Sequence, residues 1–183
     1  MPERSDSMKY MFFIIALISL FNGQHYSQEN NTINMKILDE KSGREILFGE
    51  CSRDAFKDTA FSSWWNEEYL NYTPNKADMD DLKALITDQS ILIVFGTWCG
   101  DSRRELPRFF RIIDEIGVKE SSIKLVAVDR NKVADKGQTE GLSIKYVPTF
   151  IVYSAGVELG RIIETPEATL EQDLINILYG MKK

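Results

Sequence analysis

Histidine and cysteine are scarce in this chain, whose 183 residues include one histidine and two cysteines. The histidine, His25, lies beside an apolar N-terminal run, so the rest of the chain has no imidazole for a Cys-His or Ser-His-Asp hydrolase. Structural zinc usually takes four Cys or His ligands, which so few and so widely separated residues do not supply. We therefore expect no metal site, and no residue pattern leads us to expect a cofactor. The two cysteines, Cys51 and Cys99, permit at most one internal disulfide, which excludes a small scaffold held together by several bridges.

The chain also lacks an excess of basic residues. Lys and Arg total 22 against 28 Asp and Glu, for a formal charge of −6, and no segment concentrates the positive residues. Nucleic-acid binding through phosphate neutralisation is therefore disfavoured. A hydrophobic content of 43% with 27% charged residues is that of an ordinary globular domain, and one domain is expected at this length.

The N-terminus has the pattern of a secretory signal. The uncharged apolar run Tyr10–Phe21 follows Lys9 and precedes polar residues. It is shorter than the roughly 20 apolar residues that a membrane-spanning helix needs. We predict that residues 1–27 are a cleaved signal peptide. An uncleaved anchor is the first alternative, because no clean A-x-A cleavage site is present, and a cytosolic core helix is the second.

Export would place the protein in the periplasm or cell envelope, where conditions are oxidising and thiols have disulfides to act on. An uncleaved signal would leave it anchored to the membrane. After cleavage, no stable membrane insertion is expected.

Residues 28–77 are interpreted as a linker and a helical extension. A polar stretch is followed by a short predicted strand at 35–38, and Gly49–Tyr72 is predicted to be helical and rich in aromatic residues. The aromatic side chains are interpreted as a layer packed on a core. The alternative is an exposed aromatic surface that binds a ligand.

Residues 78–183 have the alternating helices and strands of an α/β domain. Continuous apolar runs at 90–97 and 123–128 are typical of strands buried on both faces. The other predicted elements are helices over 77–86 and 100–116, strands over 149–153 and 157–163, and a last helix with Thr165 as its N-cap.

Cys99 lies where a buried strand ends and a helix begins. The positive end of a helix stabilises a thiolate and makes it nucleophilic. Arg103, one turn further on, would add positive charge, whereas Asp101 would oppose it. The alternative interpretation is a buried structural cysteine.

These residues and those downstream resemble the thioredoxin superfamily. The resemblance is carried by WCGDS at 98–102, the strands ILIVF and KLVAVD, and YVPTF at 146–150, which stands where the family has its cis-proline segment. It covers residues 78–180 in the family's order of elements. It implies an α/β fold with a central mixed sheet flanked by helices, and Cys99 next to Pro148. The exported, N-terminally extended form is also similar to bacterial envelope proteins of the TlpA-like kind.

Three positions depart from the family's pattern. Ser102 replaces the second active-site cysteine, Asp101 replaces a proline, and Ile93 replaces a buried acidic residue. A C-x-x-S motif cannot by itself cycle between dithiol and disulfide. A mixed disulfide on Cys99 would have to be resolved by an external thiol or by Cys51.

The main functional hypothesis is a thiol-disulfide oxidoreductase or isomerase with a single nucleophilic cysteine, acting on protein or small-molecule thiols and disulfides. The alternative is a non-catalytic thioredoxin-fold module that binds extended polypeptides, and a thiol peroxidase comes third. The residues assigned to catalysis are Cys99, Ser102, Trp98 and Pro148, with Cys51 as a candidate resolving residue. Those assigned to substrate binding are Val147, Thr149, Gly100 and Asp101.

Overall fold

A computed structural model describes residues 32–180 of the protein. The predicted signal peptide, residues 1–27, lies outside the described residues. Among the helices described below, none is both long enough and apolar enough to cross a bilayer.

Three short strands open the described chain. β1 (Lys36–Asp39) and β2 (Arg44–Leu47) form an antiparallel hairpin, and β3 (Gly49–Cys51) follows at once. The helix predicted from Gly49 is wrong at its start, since α1 (Thr59–Asn71) begins only after β3 and a short 3₁₀ turn. Gly49 has a φ of +83°, which favours glycine, and the chain turns there from the hairpin into β3.

β3 is the edge strand of a central sheet of five strands, in the order β3-β5-β4-β6-β7. The other four strands are β4 (Ser90–Phe95), β5 (Ile123–Ala127), β6 (Thr149–Ser154) and β7 (Val157–Ile163). β4 and β5 are parallel, and the remaining neighbours pair antiparallel. The predicted α/β fold with a central mixed sheet is confirmed, and a strand from the N-terminal extension belongs to that sheet.

Three more helices complete the described fold: α2 (Lys76–Leu85), α3 (Gly100–Ile116) and α4 (Leu170–Tyr179). The N-cap of α4 is Thr169, whose hydroxyl accepts a hydrogen bond from the Gln172 amide at 3.1 Å, so the prediction of Thr165 is wrong. The physical reason is a local competitor. The Asp173 carboxylate accepts hydrogen bonds from the amides of Glu167 and Ala168, which holds that segment in a turn before the helix.

The two faces of the sheet pack against different parts of the chain. Alternate residues of β4, Ile91, Ile93 and Phe95, join the main hydrophobic cluster, to which all four helices contribute. Val94, between them, belongs to a second and smaller cluster, which contains Val126, Val128, Ala134 and Val147. The second cluster is covered by the long connection between β5 and β6.

Most aromatic side chains of the extension are part of the main core. Phe56 stacks on Trp65 with ring centroids 4.0 Å apart, and both side chains are buried, as is Phe61. Arg53 anchors this layer to α3 through a two-pronged ion pair with Asp114, both N–O distances being 2.8 Å. The interpretation of the aromatic residues as a layer on the core agrees with this packing.

Candidate active site

Cys99 is the N-cap residue of α3 and follows the loop that leaves β4. Its amide donates to the carbonyl of Gly96 at 2.9 Å, and its carbonyl accepts from the Arg103 amide at 3.1 Å, which starts the helix. The thiol is half-buried and its Sγ donates to the carbonyl of Val147 at 3.2 Å. Since the first amides of a helix have no partner within it, the sulfur lies at a positive helix end.

The Cys99–Val147 contact brings the two segments of the predicted site together. Val147 is buried, and the Val147–Pro148 peptide bond is cis. The Thr149 hydroxyl donates to the Tyr146 carbonyl at 2.7 Å, and the Pro148 carbonyl accepts from the Glu164 amide at 2.7 Å. These bonds fix the segment on which the sulfur rests.

Ser102, which the sequence assigns to catalysis, lies in the first turn of α3. The side chain is buried, and its Oγ accepts a hydrogen bond from the Gly96 amide at 3.2 Å. It therefore closes the loop between β4 and α3. Gly100 begins the helix, and Asp101 pairs with Arg104 at 2.8 Å, so the negative charge next to Cys99 is partly compensated.

Trp98 forms one wall of the site. Its Nε1 donates to the Val128 carbonyl at 2.8 Å, which ties the loop after β4 to the end of β5. The Arg130 guanidinium lies over the indole, 5.0 Å from the ring centroid, and the Lys132 ammonium is 6.0 Å from it. Two cations thus face the tryptophan that precedes Cys99.

Arg130 is held by Asp39 at the end of β1. The pair is bidentate with both N–O distances 2.8 Å, and Asp39 is buried. The guanidinium, followed by hydrogen bonds from Ser42, holds the pKa of the Asp39 carboxyl well below its usual range. Hydrogen bonding to Asp39 raises the pKa of Arg130 despite partial desolvation, and the Cys99 sulfur adds a smaller electrostatic contribution in the same direction.

Neither Asp39 nor Arg130 is among the site residues predicted from the sequence. A signal for Arg130 was present, because it follows a buried strand parallel to the strand that leads to Cys99. The carboxyl ends of parallel neighbours meet at one edge of a sheet. The hairpin is anchored at the same edge, since the Leu47 amide donates to the Thr97 hydroxyl at 3.1 Å.

Cys51 is not brought to this site. It is buried in the main cluster on β3, whereas Cys99 packs against the second cluster on the opposite face of the sheet, and both thiols are free. Burial raises the pKa of the Cys51 thiol to about 12. Within residues 32–180, no group of three Cys, His, Asp or Glu side chains could hold a metal ion.

The structure has a five-stranded mixed sheet with helices packed on it. Between a central strand and a helix lies a half-buried cysteine that touches a proline-containing segment. This combination defines a thioredoxin-like protein. Residues 75–176 match the family model for thioredoxin. The match spans more than half of the chain, which therefore belongs to the thioredoxin family.

Over 99 residues the chain is 26% identical to a thioredoxin from Echinococcus granulosus, which covers 53% of this chain and 87% of that protein. Among solved structures it is similar to a protein of unknown function from Pseudomonas aeruginosa, with 18% identity and a TM-score of 0.46, covering 67% of this chain and 82% of the other. An HIV epitope-scaffold has 20% identity and a TM-score of 0.43, covering 66% of this chain and 73% of the other.

Family membership supports a thioredoxin-like redox function, with thiols or disulfides as the class of substrate.

Proposed function

We propose that the protein is a single-cysteine thiol-disulfide exchange protein that acts on protein disulfides in the cell envelope. The observation that carries the proposal is the position of Cys99. Its sulfur is half-buried at the N-terminus of α3 and 3.2 Å from the Val147 carbonyl, so a substrate disulfide can reach it while the helix end stabilises negative charge.

The exchange takes place in two balanced steps. The Cys99 thiolate attacks one sulfur of a substrate disulfide, forming a mixed disulfide and releasing the other sulfur as a thiolate. A second thiolate then attacks the substrate sulfur of the mixed disulfide, forming a new disulfide and releasing the Cys99 thiolate. An electron pair moves from the attacking to the leaving sulfur each time, so the cycle needs no net oxidant or reductant. When all three substrate sulfurs belong to one protein, the result is isomerisation.

An external thiol is favoured over Cys51 for the second step. Burial raises the pKa of Cys51 to about 12, so at pH 7 this thiol is almost entirely protonated and a poor nucleophile. Its burial in the main core also puts the central sheet between the two sulfurs. Cys51 is thus supported as a packing residue.

The residues around Cys99 would hold an extended segment of the substrate. The backbone of Val147, beside Pro148, would offer the edge that pairs with it, and the buried Thr149 would support this segment through its hydrogen bond to the Tyr146 carbonyl. Trp98 would shield the sulfur, Gly100 leaves the helix end open, and Asp101 would contact the flanking chain. The buried Ser102 supports the loop through Gly96.

Export remains a proposal that rests on residues 1–27. The envelope suits the chemistry because disulfides form and persist there. Cell fractionation of the full chain tests the location separately: recovery in the cytosol would contradict the location and leave the chemistry untouched.

The chemistry is tested by the rate at which the full-length protein re-pairs a scrambled model disulfide protein in the presence of a small thiol. We expect wild-type protein to accelerate the reaction and Cys99→Ser to abolish the effect. Cys51→Ala is the matched control and should retain the activity, provided that circular dichroism shows it folded.

Equal rates for wild type and Cys99→Ser would overturn the proposal. If that result came with retention of reduced unfolded polypeptide by both proteins, it would support the non-catalytic binding module instead. Loss of activity in folded Cys51→Ala would overturn the single-cysteine mechanism in favour of internal resolution.

A further inference from the structure

A cleft of about 510 Å³ lies beside the candidate active site. Its outer wall is made by the β1–β2 hairpin and α1, both of which precede residue 75, where the family match begins. Its inner wall includes Trp98 and Arg103, which flank Cys99 in sequence. The volume is in the range of sites for small organic ligands.

The lining carries positive charge that the protein does not neutralise. Three arginines line the cleft, and Arg130 is paired with Asp39. The Arg103 Nε donates to the backbone carbonyl of Thr97, which leaves its charge uncompensated, and Arg44 has no ion-pair partner within residues 32–180. The acidic residue in the lining, Glu45, shares Lys36 with Asp58, at 2.8 and 3.0 Å. With Arg44 and Arg103 free of ion pairs in the described part of the chain, the local charge is still positive.

This local charge is opposite to that of the whole chain, which is −6. Without it, the protein's own field would repel an anionic substrate. The guanidinium group matches a carboxylate in geometry and charge, forming two parallel hydrogen bonds with it. The cleft therefore favours a carboxylate over a cation or a neutral group.

Apart from Ser42, the rest of the lining is apolar and mostly aromatic. The indoles of Trp64 and Trp98, with Phe61 and Ile46, provide surfaces for an apolar stem. A ligand that fits has a carboxylate for the arginines and an apolar part for the aromatic surfaces. Cys99 adjoins the cleft without lining it, and Arg130, which does line it, interacts electrostatically with the Cys99 sulfur.

We propose that this cleft binds the carboxylate of the thiol compound that exchanges with Cys99, so that carboxylate-bearing thiols and disulfides are the preferred substrates. The inference rests on the proposed exchange function. The carboxylate can belong to a small thiol compound or to an acidic residue next to a cysteine in a protein; the chemistry recognised is the same.

The test uses two aromatic disulfide probes that differ in charge. Dithiobis(nitrobenzoate) carries two carboxylates, and dithiodipyridine is neutral. The second-order rate constant of Cys99 with each probe is measured for the full chain, and their ratio reports the preference for a carboxylate.

We expect Arg44→Gln to lower the rate with the anionic probe about fivefold and to leave the rate with the neutral probe unchanged. Arg103 also lies one turn from Cys99 and holds the Thr97 carbonyl, so for Arg103→Gln the expected result is a fall of about fivefold in the ratio of the anionic to the neutral rate. Arg44 is exposed and makes no internal ion pair, so its replacement keeps the test valid if Arg103→Gln perturbs the loop. Lys83→Gln, at an exposed position on α2, removes the same charge elsewhere and should leave the ratio as in the wild type.

An unchanged ratio in both arginine variants would overturn the inference, as would an equal fall in Lys83→Gln. If wild-type Cys99 exchanged with neither probe, the proposed function itself would fail. Normal exchange with the neutral probe and no arginine dependence would refute the cleft alone.

Two further arms separate the sources of the carboxylate. The first compares mercaptosuccinate with mercaptoethanol as the resolving thiol, and the second compares a disulfide peptide with Asp beside its cysteine against the Asn version. Arginine dependence in the first arm supports a small thiol, and in the second a protein substrate. Dependence in neither arm overturns the inference.

Discussion

Replacing Cys51 by alanine should change how the stability of the protein depends on alkaline pH. The pKa of the buried thiol is about 12 in the folded protein, against 9.0 for the ordinary group. Below pH 9 both the folded and the unfolded chain hold the proton, and the thiol contributes its full packing energy. Between pH 9 and 12 the unfolded chain releases the proton and the folded chain keeps it. Stability is therefore lost as pH rises through this window.

The size of the effect follows from the linkage relation. Each pH unit inside the window lowers the free energy of unfolding by about 1.4 kcal/mol. Below pH 9, loss of the buried sulfur in Cys51→Ala costs about 1 to 2 kcal/mol. The variant is thus less stable than wild type at pH 7, and the two stabilities should become equal near pH 10, at about one unit into the window.

The assay is urea unfolding of both proteins between pH 7 and 10.5, with a reductant present. Burial also raises the pKa of Tyr69 and Tyr72, but their contribution is common to both proteins and cancels in the difference. A difference in stability that stays constant up to pH 10.5 would refute the reasoning. It would mean that Cys51 ionises as an accessible thiol does, which would restore it as a resolving residue.

Two other changes test the surroundings of Cys99. In Gly96→Ala the new Cβ would lie 2.7 Å from Trp98 Cε2 and Nε1, so we expect displaced tryptophan fluorescence and a loss of about 1 to 3 kcal/mol in urea unfolding. Gly100→Ala, with open space around the added carbon, is the matched control, and equal stability of the two variants would contradict the packing argument. Because the pKa of Asp39 is lowered, its contribution to stability is present above the ordinary value of 3.8 and is lost as pH falls below it. Between pH 6 and 3, the free energy of unfolding should therefore fall less steeply in Asp39→Asn than in wild type. Parallel curves for the two proteins would show that Asp39 makes no pH-dependent contribution in this range.

Much of the central fold could be predicted because its signals are local. β4 is a continuous apolar run, and α3 has an apolar face that extends from Leu106 to Ile113, so strand and helix can be recognised without knowing their neighbours. The location of Cys99 at the start of α3 followed from the same two elements. The order of the later elements then allowed the resemblance to be drawn.

The features that were missed depend on contacts between distant residues. β3 has three residues, too few for a pattern, and it is a strand because it pairs with β5 more than 70 positions later. The Asp39–Arg130 pair joins residues 91 positions apart. The end of a buried strand marks the place of Arg130, but nothing local indicates that Asp39 is its partner. The cleft arises from the hairpin and α1 folding onto the active-site edge, so no stretch of sequence contains it.

The placement of the two cysteines on opposite faces of one sheet has a consequence for the order of events when the chain folds. A bond between them would have to join the two faces of the folded sheet, so we expect it to form only before the sheet is assembled. In an oxidising compartment the sheet must therefore assemble before the two thiols can be oxidised to a disulfide. Once folding is complete, the sheet keeps the two sulfurs apart. A chain with a Cys51–Cys99 disulfide would therefore be one that was oxidised before it folded.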